Sequence, residues 1–375
     1  MARLAAAALA FAALQANAAI TVAPFGVTQS GQPVEQVTLD NERGMQLTVI
    51  DFGATITAVR VPDRKGVLAN VMLALPTLAA YEATRRRLGA VIGRYAGRIA
   101  HARFPLDGRM VALPANAKGL AIHGDPDGYD KRVWHRQDFA DAASVGSVFR
   151  LTSPDGDQGF PGRVELSVTY RLLRKRNEFR IEYGARAEAP TVINLTNHGY
   201  FNLSAAPGLA SHTFRIHAGK YVLTDALRVP TGELADVAGT PLDFRHGAGI
   251  TERLAARSPL LGDPPWFDHG LVFSKGAGEL ALVATIDDAA SGRRMDVSTT
   301  EPSVIFNSGN GFDGSEAMGH QRHDGFAFET QHLADSPNHP HFPSTELRPG
   351  RPYSSVTVFS FSTSAPPART GRPGR

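Results

Sequence analysis

The chain has 375 residues, of which 42% are apolar and 20% charged, enough to bury a large core and too apolar for a disordered or fibrous protein. Its 39 Lys and Arg against 36 Asp and Glu leave a formal charge of +3, and the basic residues are scattered apart from "RRR" at 85–87 and "RKR" at 174–176, so nucleic acid is excluded as a partner. The absence of cysteine excludes disulfide and thiol chemistry, and 37 Gly with 25 Pro favour many turns between short strands over long helices.

Arg3, the apolar run Leu4 to Leu14 and the small-x-small triplet Ala16-Asn17-Ala18 form the pattern of a secretory signal peptide over 1–19, cleaved after Ala18 or Ala19. The run is too short for a permanent membrane anchor, so the expectation is a periplasmic or secreted protein with no membrane association once the leader is removed. Past residue 20 the apolar residues alternate with a period of two. "MQLTVIDFGATITAVRVPD" (45–63) predicts two strands around Asp51-Phe52-Gly53, and "VELSVTYRLLRKRNEFRIEYGARA" (164–187) predicts a hairpin turning at Arg176-Asn177. "TLAAYEATRRRLGAVIG" (77–93) is the best helix candidate, with Thr77 as N-cap after Pro76. "GELALVATIDD", "RRMDVSTTEPSVIFNSG" and "SSVTVFSFST" continue the strand pattern. The reading is all-β: one sandwich-like domain over 20–365 with few short helices, and a disordered tail over 366–375.

Polar constellations interrupt this pattern: "GRYAGRI" (93–99), "AIHGD" (121–125), "TNHGYFNL" (196–203), "FDHGLVF" (267–273) and "FAFETQHLADSPNHPHFPS" (326–344). Each sets a His, Arg or carboxylate at or beside a strand end, where side chains from separate strands can converge on a cleft. Donors, acceptors and aromatic faces without a thiol or a Gly-rich phosphate cradle suit a polyhydroxylated ligand. His332, His339 and His341 could suggest zinc, but the intervening prolines fix an extended loop without helical ligand spacing, and no metal is expected. The glycosylation-like triplets at Asn194 and Asn202 lie inside a candidate site strand and are discounted.

The motifs "GRYAGRI", "TNHGYFNL", "FDHGLVF" and "FETQHLADSPNHPHFPSTELRPG" resemble, in order and spacing, those of the aldose 1-epimerase (mutarotase) family, over about residues 25–363. The resemblance implies a β-supersandwich fold and interconversion of the α and β anomers of free aldoses such as glucose or galactose, without a cofactor. It implies His198 as general acid and Glu329 as general base, with Arg98, His123, Asp268 and, as an apolar wall, Tyr200 contacting the sugar. The chemistry agrees: opening a hemiacetal removes a proton from the anomeric hydroxyl and delivers one to the ring oxygen, and an imidazolium with a carboxylate can do both. Four positions depart from the family pattern: Gly97 for Asn, Gly199 for Ser, Asp125 for Gly and Ile305 for Gln. These leave the preferred aldose open. The alternative function is a sugar-binding or glycan-processing module on the same fold, including a glycosidase using Asp268 and Glu329. The only partner expected is a small-molecule aldose, and the chain could be a monomer or a homodimer.

Overall fold

A computed structural model of the chain describes residues 19–315 and 318–364. The expected leader, save Ala19, and the expected tail lie outside the described residues. Two antiparallel sheets form the body. The larger has nine strands, in the order His135–Ala140, Ser144–Ser153, Val164–Leu173, Glu178–Ala187, Tyr353–Thr363, Arg293–Thr299, Ala281–Asp288, His212–Ile216 and Ala248–Gly249. The smaller has six: Tyr200–Phe201, Phe326–Gln331, Ser303–Asn307, Asp268–Phe273, Ala218–Thr224 and Pro230–Asp236. A separate five-stranded meander runs from Ile20 to Asn70.

The two larger sheets meet through aromatic side chains. Phe214 and Phe359 of the nine-stranded sheet reach Phe326, Phe306 and Phe201 of the six-stranded one, with ring centroids 4.8 Å apart for Phe214–Phe326 and 5.3 Å for Phe201–Phe359. The nine-stranded sheet alternates apolar and polar residues as the sequence predicts, because one of its faces is buried, whereas Phe326–Gln331 of the six-stranded sheet is buried at every position. The two strands expected within 45–63 are Gln46–Ile50 and Thr55–Pro62, and the 164–187 hairpin pairs Leu172 with Phe179 across its turn.

The expected helix is shorter than its pattern. Thr77 is its N-cap, accepting from the Ala80 amide at 3.3 Å, but the helix runs only over Leu78–Ala83. Lys131 ends it: the ammonium donates to the carbonyls of Tyr81, Glu82 and Thr84 at 2.8, 3.1 and 2.6 Å, taking up the C-terminal acceptors that a further turn would use. Arg85, Arg86 and Arg87 therefore leave the helix and run along the mouth of a cleft. Among the described residues no helix is long and apolar enough to cross a membrane.

Candidate active site

The cleft, about 500 Å³, lies over the face of the six-stranded sheet that turns away from the aromatic core, and the register explains its contents. Gly270 pairs with Ile305 and Ile305 with Glu329, giving one row across three strands; Asp268, Asn307, Ala327 and Tyr200 pair successively in the next row. Period-two alternation puts both rows on the same face. Phe326, Phe328 and Thr330 point the other way, so Glu329 is displayed to the cleft by a strand anchored in the core.

His198 comes from the turn between Thr196–Asn197 and Tyr200–Phe201. Its backbone is clamped on both sides, its amide donating to Ala90 O and its carbonyl accepting from the Gly89 amide, each at 2.9 Å. Gly89 has φ +71°, and a β-carbon there would collide with the carbonyl of Ile56, so only glycine serves. Tyr200 lies 5.1 Å from the His198 ring, and Phe312 packs edge-on against Tyr200 at 4.7 Å, which fixes both rings as one wall.

The "GRYAGRI" and "AIHGD" motifs are strand partners, Ile122 pairing with Arg98 and Ala121 with Ile99. The Gly97 amide donates to His123 Nδ1 at 3.2 Å, which leaves the proton of the neutral ring on Nε2 as a donor. Behind them stand motif residues that hold the scaffold. Arg94 is wholly buried and donates to Ser153 Oγ at 2.5 Å and to the carbonyls of Pro161 and Gly162 at 2.9 Å. The Asn194 side chain joins Ala96 O to both backbone groups of His332, and Asp335 accepts from the Ala100 amide at 3.0 Å. Asn194 and Asn202 are buried and fully engaged in such bonds, in agreement with discounting them as glycan sites.

All six candidate residues line the cleft: His198, Glu329, Arg98, His123, Tyr200 and Asp268. His198 Nε2 is 3.5 Å from Glu329 Oε1, while His198 Nδ1 and Glu329 Oε2 are buried without a protein partner. Asp268 is held by Arg98 at 3.4 Å and by Asn307 Nδ2 at 3.2 Å. Asp268 opens the strand Asp268–Phe273 and is held at its end.

The protonation states depart from the sequence expectation. Burial first, and then the Arg87 charge, pull the His198 ring down from its ordinary value to about 4. Burial also pushes Glu329 well above the usual carboxylate range, with Asp268 adding to the rise, and it pulls His123 well down. The expected free imidazolium is therefore not the resting form. Burial thus favours the neutral form of each group, an imidazole without its second proton and a carboxyl that holds its own more tightly than usual.

Residues that the sequence did not single out complete the cleft: Arg87, Asn307, Trp266 and Arg228. Asn307 stands two residues from Ile305 on one strand, so strict alternation could have found it. The departures at Asp125 and Gly97 gain a structural reason. Asp125 forms an ion pair with Arg87, and a β-carbon at Gly97, where φ is +89°, would meet the Ala334 β-carbon at 2.8 Å. Gly199 does not line the cleft at all: a β-carbon there would point to Asn197 Oδ1 and Met72 Cε, both at 2.9 Å. The expectation that Gly199 bears on sugar preference is corrected accordingly.

His332, His339 and His341 form no metal-ligand group among the described residues: His332 bonds Glu301, while His339 lies 3.2 Å from Asp335 and His341 pairs with the Gly232 carbonyl. The one group of ligand atoms among the described residues that could hold a metal ion is His123, His198 and Glu329, within 4.8 Å of one another. A tetrahedral zinc ion with bonds of about 2 Å sets its ligands roughly 3.3 Å apart, so these side chains would have to draw together to bind one. As they stand, they suit oxygens of a bound molecule placed between them.

The two-sheet β-supersandwich, with an imidazole set 3.5 Å from a carboxyl in its polar cleft, is the architecture of the galactose mutarotase-like class of proteins. Residues 35–360 match the model of the aldose 1-epimerase family. The chain is 38% identical to galactose mutarotase of Homo sapiens over 352 residues, 92% of this chain and 99% of that protein. It is 37% identical to aldose 1-epimerase of Escherichia coli (strain K12), over 88% of this chain and 96% of that one. Among solved structures, galactose 1-epimerase from Lactobacillus acidophilus NCFM superposes with a TM-score of 0.82 at 25% identity, covering 92% of this chain and 99% of that chain. The chain belongs to the aldose 1-epimerase family.

Proposed function

We propose that the protein is a cofactor-independent mutarotase that interconverts the α and β anomers of free aldoses such as glucose and galactose. The observation that carries this reading is the pairing of His198 with Glu329 across 3.5 Å in a cleft whose other polar groups can all bond sugar oxygens. Glu329 takes the proton of the anomeric hydroxyl while His198 gives one to the ring oxygen. Rotation about the C1–C2 bond then presents the other aldehyde face, and closure reverses the two roles. Transfer of the shared proton from Glu329 to His198 over their short separation arms the pair without exchange with solvent. A neutral His123, donating from Nε2, bonds a ring oxygen, and Asp268 accepts from hydroxyls while Arg98 and Asn307 hold it in place.

Asp268, already bonded by two donors, fits a hydroxyl acceptor better than the nucleophile of a glycosidase. The test is polarimetry on freshly dissolved α-D-glucose and α-D-galactose. The reading predicts a drift to equilibrium far faster than in buffer; an unaccelerated drift, or release of reducing sugar from glycosides, overturns it. The catalytic unit is proposed to be one domain over 20–365, exported behind the leader at 1–19. The apolar run Leu4 to Leu14 and the Ala16-Asn17-Ala18 triplet support export, and the N-terminal residue of the mature protein tests it.

A further inference from the structure

Five guanidinium groups line the cleft, those of Arg85, Arg86, Arg87, Arg98 and Arg228, against the carboxyls of only Asp268 and Glu329. Two of the five are neutralised within the protein, Arg87 by Asp125 and Asp130 and Arg98 by Asp268. Glu329 is driven toward its uncharged form by burial, so it adds little negative charge. Among the described residues no carboxylate lies within ion-pair distance of Arg85, Arg86 or Arg228. Arg228 is otherwise occupied: it covers the Trp266 ring at 4.6 Å, with Nη1 packed 3.2 Å from His269 Nε2.

Arg85 and Arg86 are exposed at the rim, and their placement follows from the structure beneath them. Lys131 stops the preceding helix, and the clamp between Gly89 and His198 fixes the chain after them. The Arg86 guanidinium lies against the backbone of Gly311, where any β-carbon would collide with it. The Asp313 carboxyl is lowered first by its own bonds to Ser315 and only last by the Arg86 charge. Among the described residues a neutral hexose leaves this positive rim without a counter-charge, and the cleft extends past the paired groups to reach it.

We propose that Arg85 and Arg86 receive an acidic substituent of the sugar, so that the preferred substrates are anionic aldoses bearing a carboxylate or a phosphate. The proposal rests on the mutarotase reading above and adds a substrate class to it. Guanidinium forks match both anions, because each offers paired oxygens to parallel N–H donors, and such charge-assisted bonds are about twice as strong as neutral ones.

The experiment compares D-galacturonate, D-glucose 6-phosphate, D-galactose and D-glucose, reading enzyme-dependent anomer exchange by NMR above the buffer rate. Wild type and the double variant Arg85→Gln/Arg86→Gln are measured side by side, with calorimetric Kd values for all four sugars. The expected result is a kcat/KM for at least one anionic sugar about tenfold or more above the neutral ones, with the ratio falling about fivefold or more in the variant and in high salt. Galacturonate against glucose 6-phosphate then shows which anion the rim takes. Equal turnover of neutral and anionic sugars, or a ratio the variant leaves untouched, overturns the proposal. Absence of exchange with every sugar overturns the mutarotase reading instead, and the Kd values then decide charge recognition: tighter binding of an anion in wild type but not in the variant upholds it, and equal binding refutes it.

Discussion

His198 Nε2 faces Glu329 Oε1 across 3.5 Å, and burial drives both side chains toward their neutral forms. One proton thus serves two groups. In the proposed mechanism the active form is the singly protonated pair, and its limits in pH follow from how each member is shifted.

Below about pH 4 the ring takes a second proton and no base remains; above the raised carboxyl value the pair is empty and no acid remains. The pH profile of kcat/KM is expected to have its acid limb near pH 4 and its alkaline limb above the ordinary carboxylate range. An acid limb near 6.5, where an unperturbed imidazole titrates, would contradict the buried neutral ring.

Glu329 is costly to the fold at neutral pH. Its folded-state pKa lies above its unfolded one, so its contribution to stability is fully present below the unfolded value of 4.5 and is lost as pH rises through the folded value. Glu329→Gln is expected to raise Tm by roughly 2–5 °C at pH 8 and to lose that advantage at pH 4. Thermal melts at the two pH values decide it.

Arg94 holds the "GRYAGR" segment from behind by bonds to several carbonyls and three hydroxyls. Arg94→Lys cannot satisfy them all, and a loss of about 3 kcal/mol is expected in denaturant titration. An unchanged midpoint would mean that those acceptors find other partners.

Ile305 and Gly199 make a paired test of sugar preference. Ile305 lines the cleft beside Glu329 and Gly199 does not. Ile305→Gln is expected to shift the galactose-to-glucose ratio of kcat/KM by about threefold or more, one hydrogen bond being worth roughly 0.5–1.5 kcal/mol. Gly199→Ser is expected to leave the ratio within about twofold while costing around 1 kcal/mol of stability through its contacts with Met72 and Asn197.

Much of this was legible in the sequence because the strands carry it. Alternation fixed the hairpins and put Glu329 on the face opposite Phe328, and the local motifs named the six residues that meet in the cleft. What stayed hidden depends on contacts between distant segments. The end of the helix is set by Lys131, and until it is known Arg85 to Arg87 read as a solvated helical face. The ionisation of His198 depends on burial by neighbours from other strands, which no local pattern reports. The departure at Asp125 became intelligible only beside Arg87.

The most direct test of the central claim is the mutarotation rate of Glu329→Gln on α-D-galactose at saturating sugar, beside wild type. The substitution keeps the shape of the side chain and removes its proton acceptor. A folded variant with kcat reduced by about 100- to 10,000-fold is the predicted result. A kcat within tenfold of wild type would contradict the assignment of Glu329 as the partner of His198.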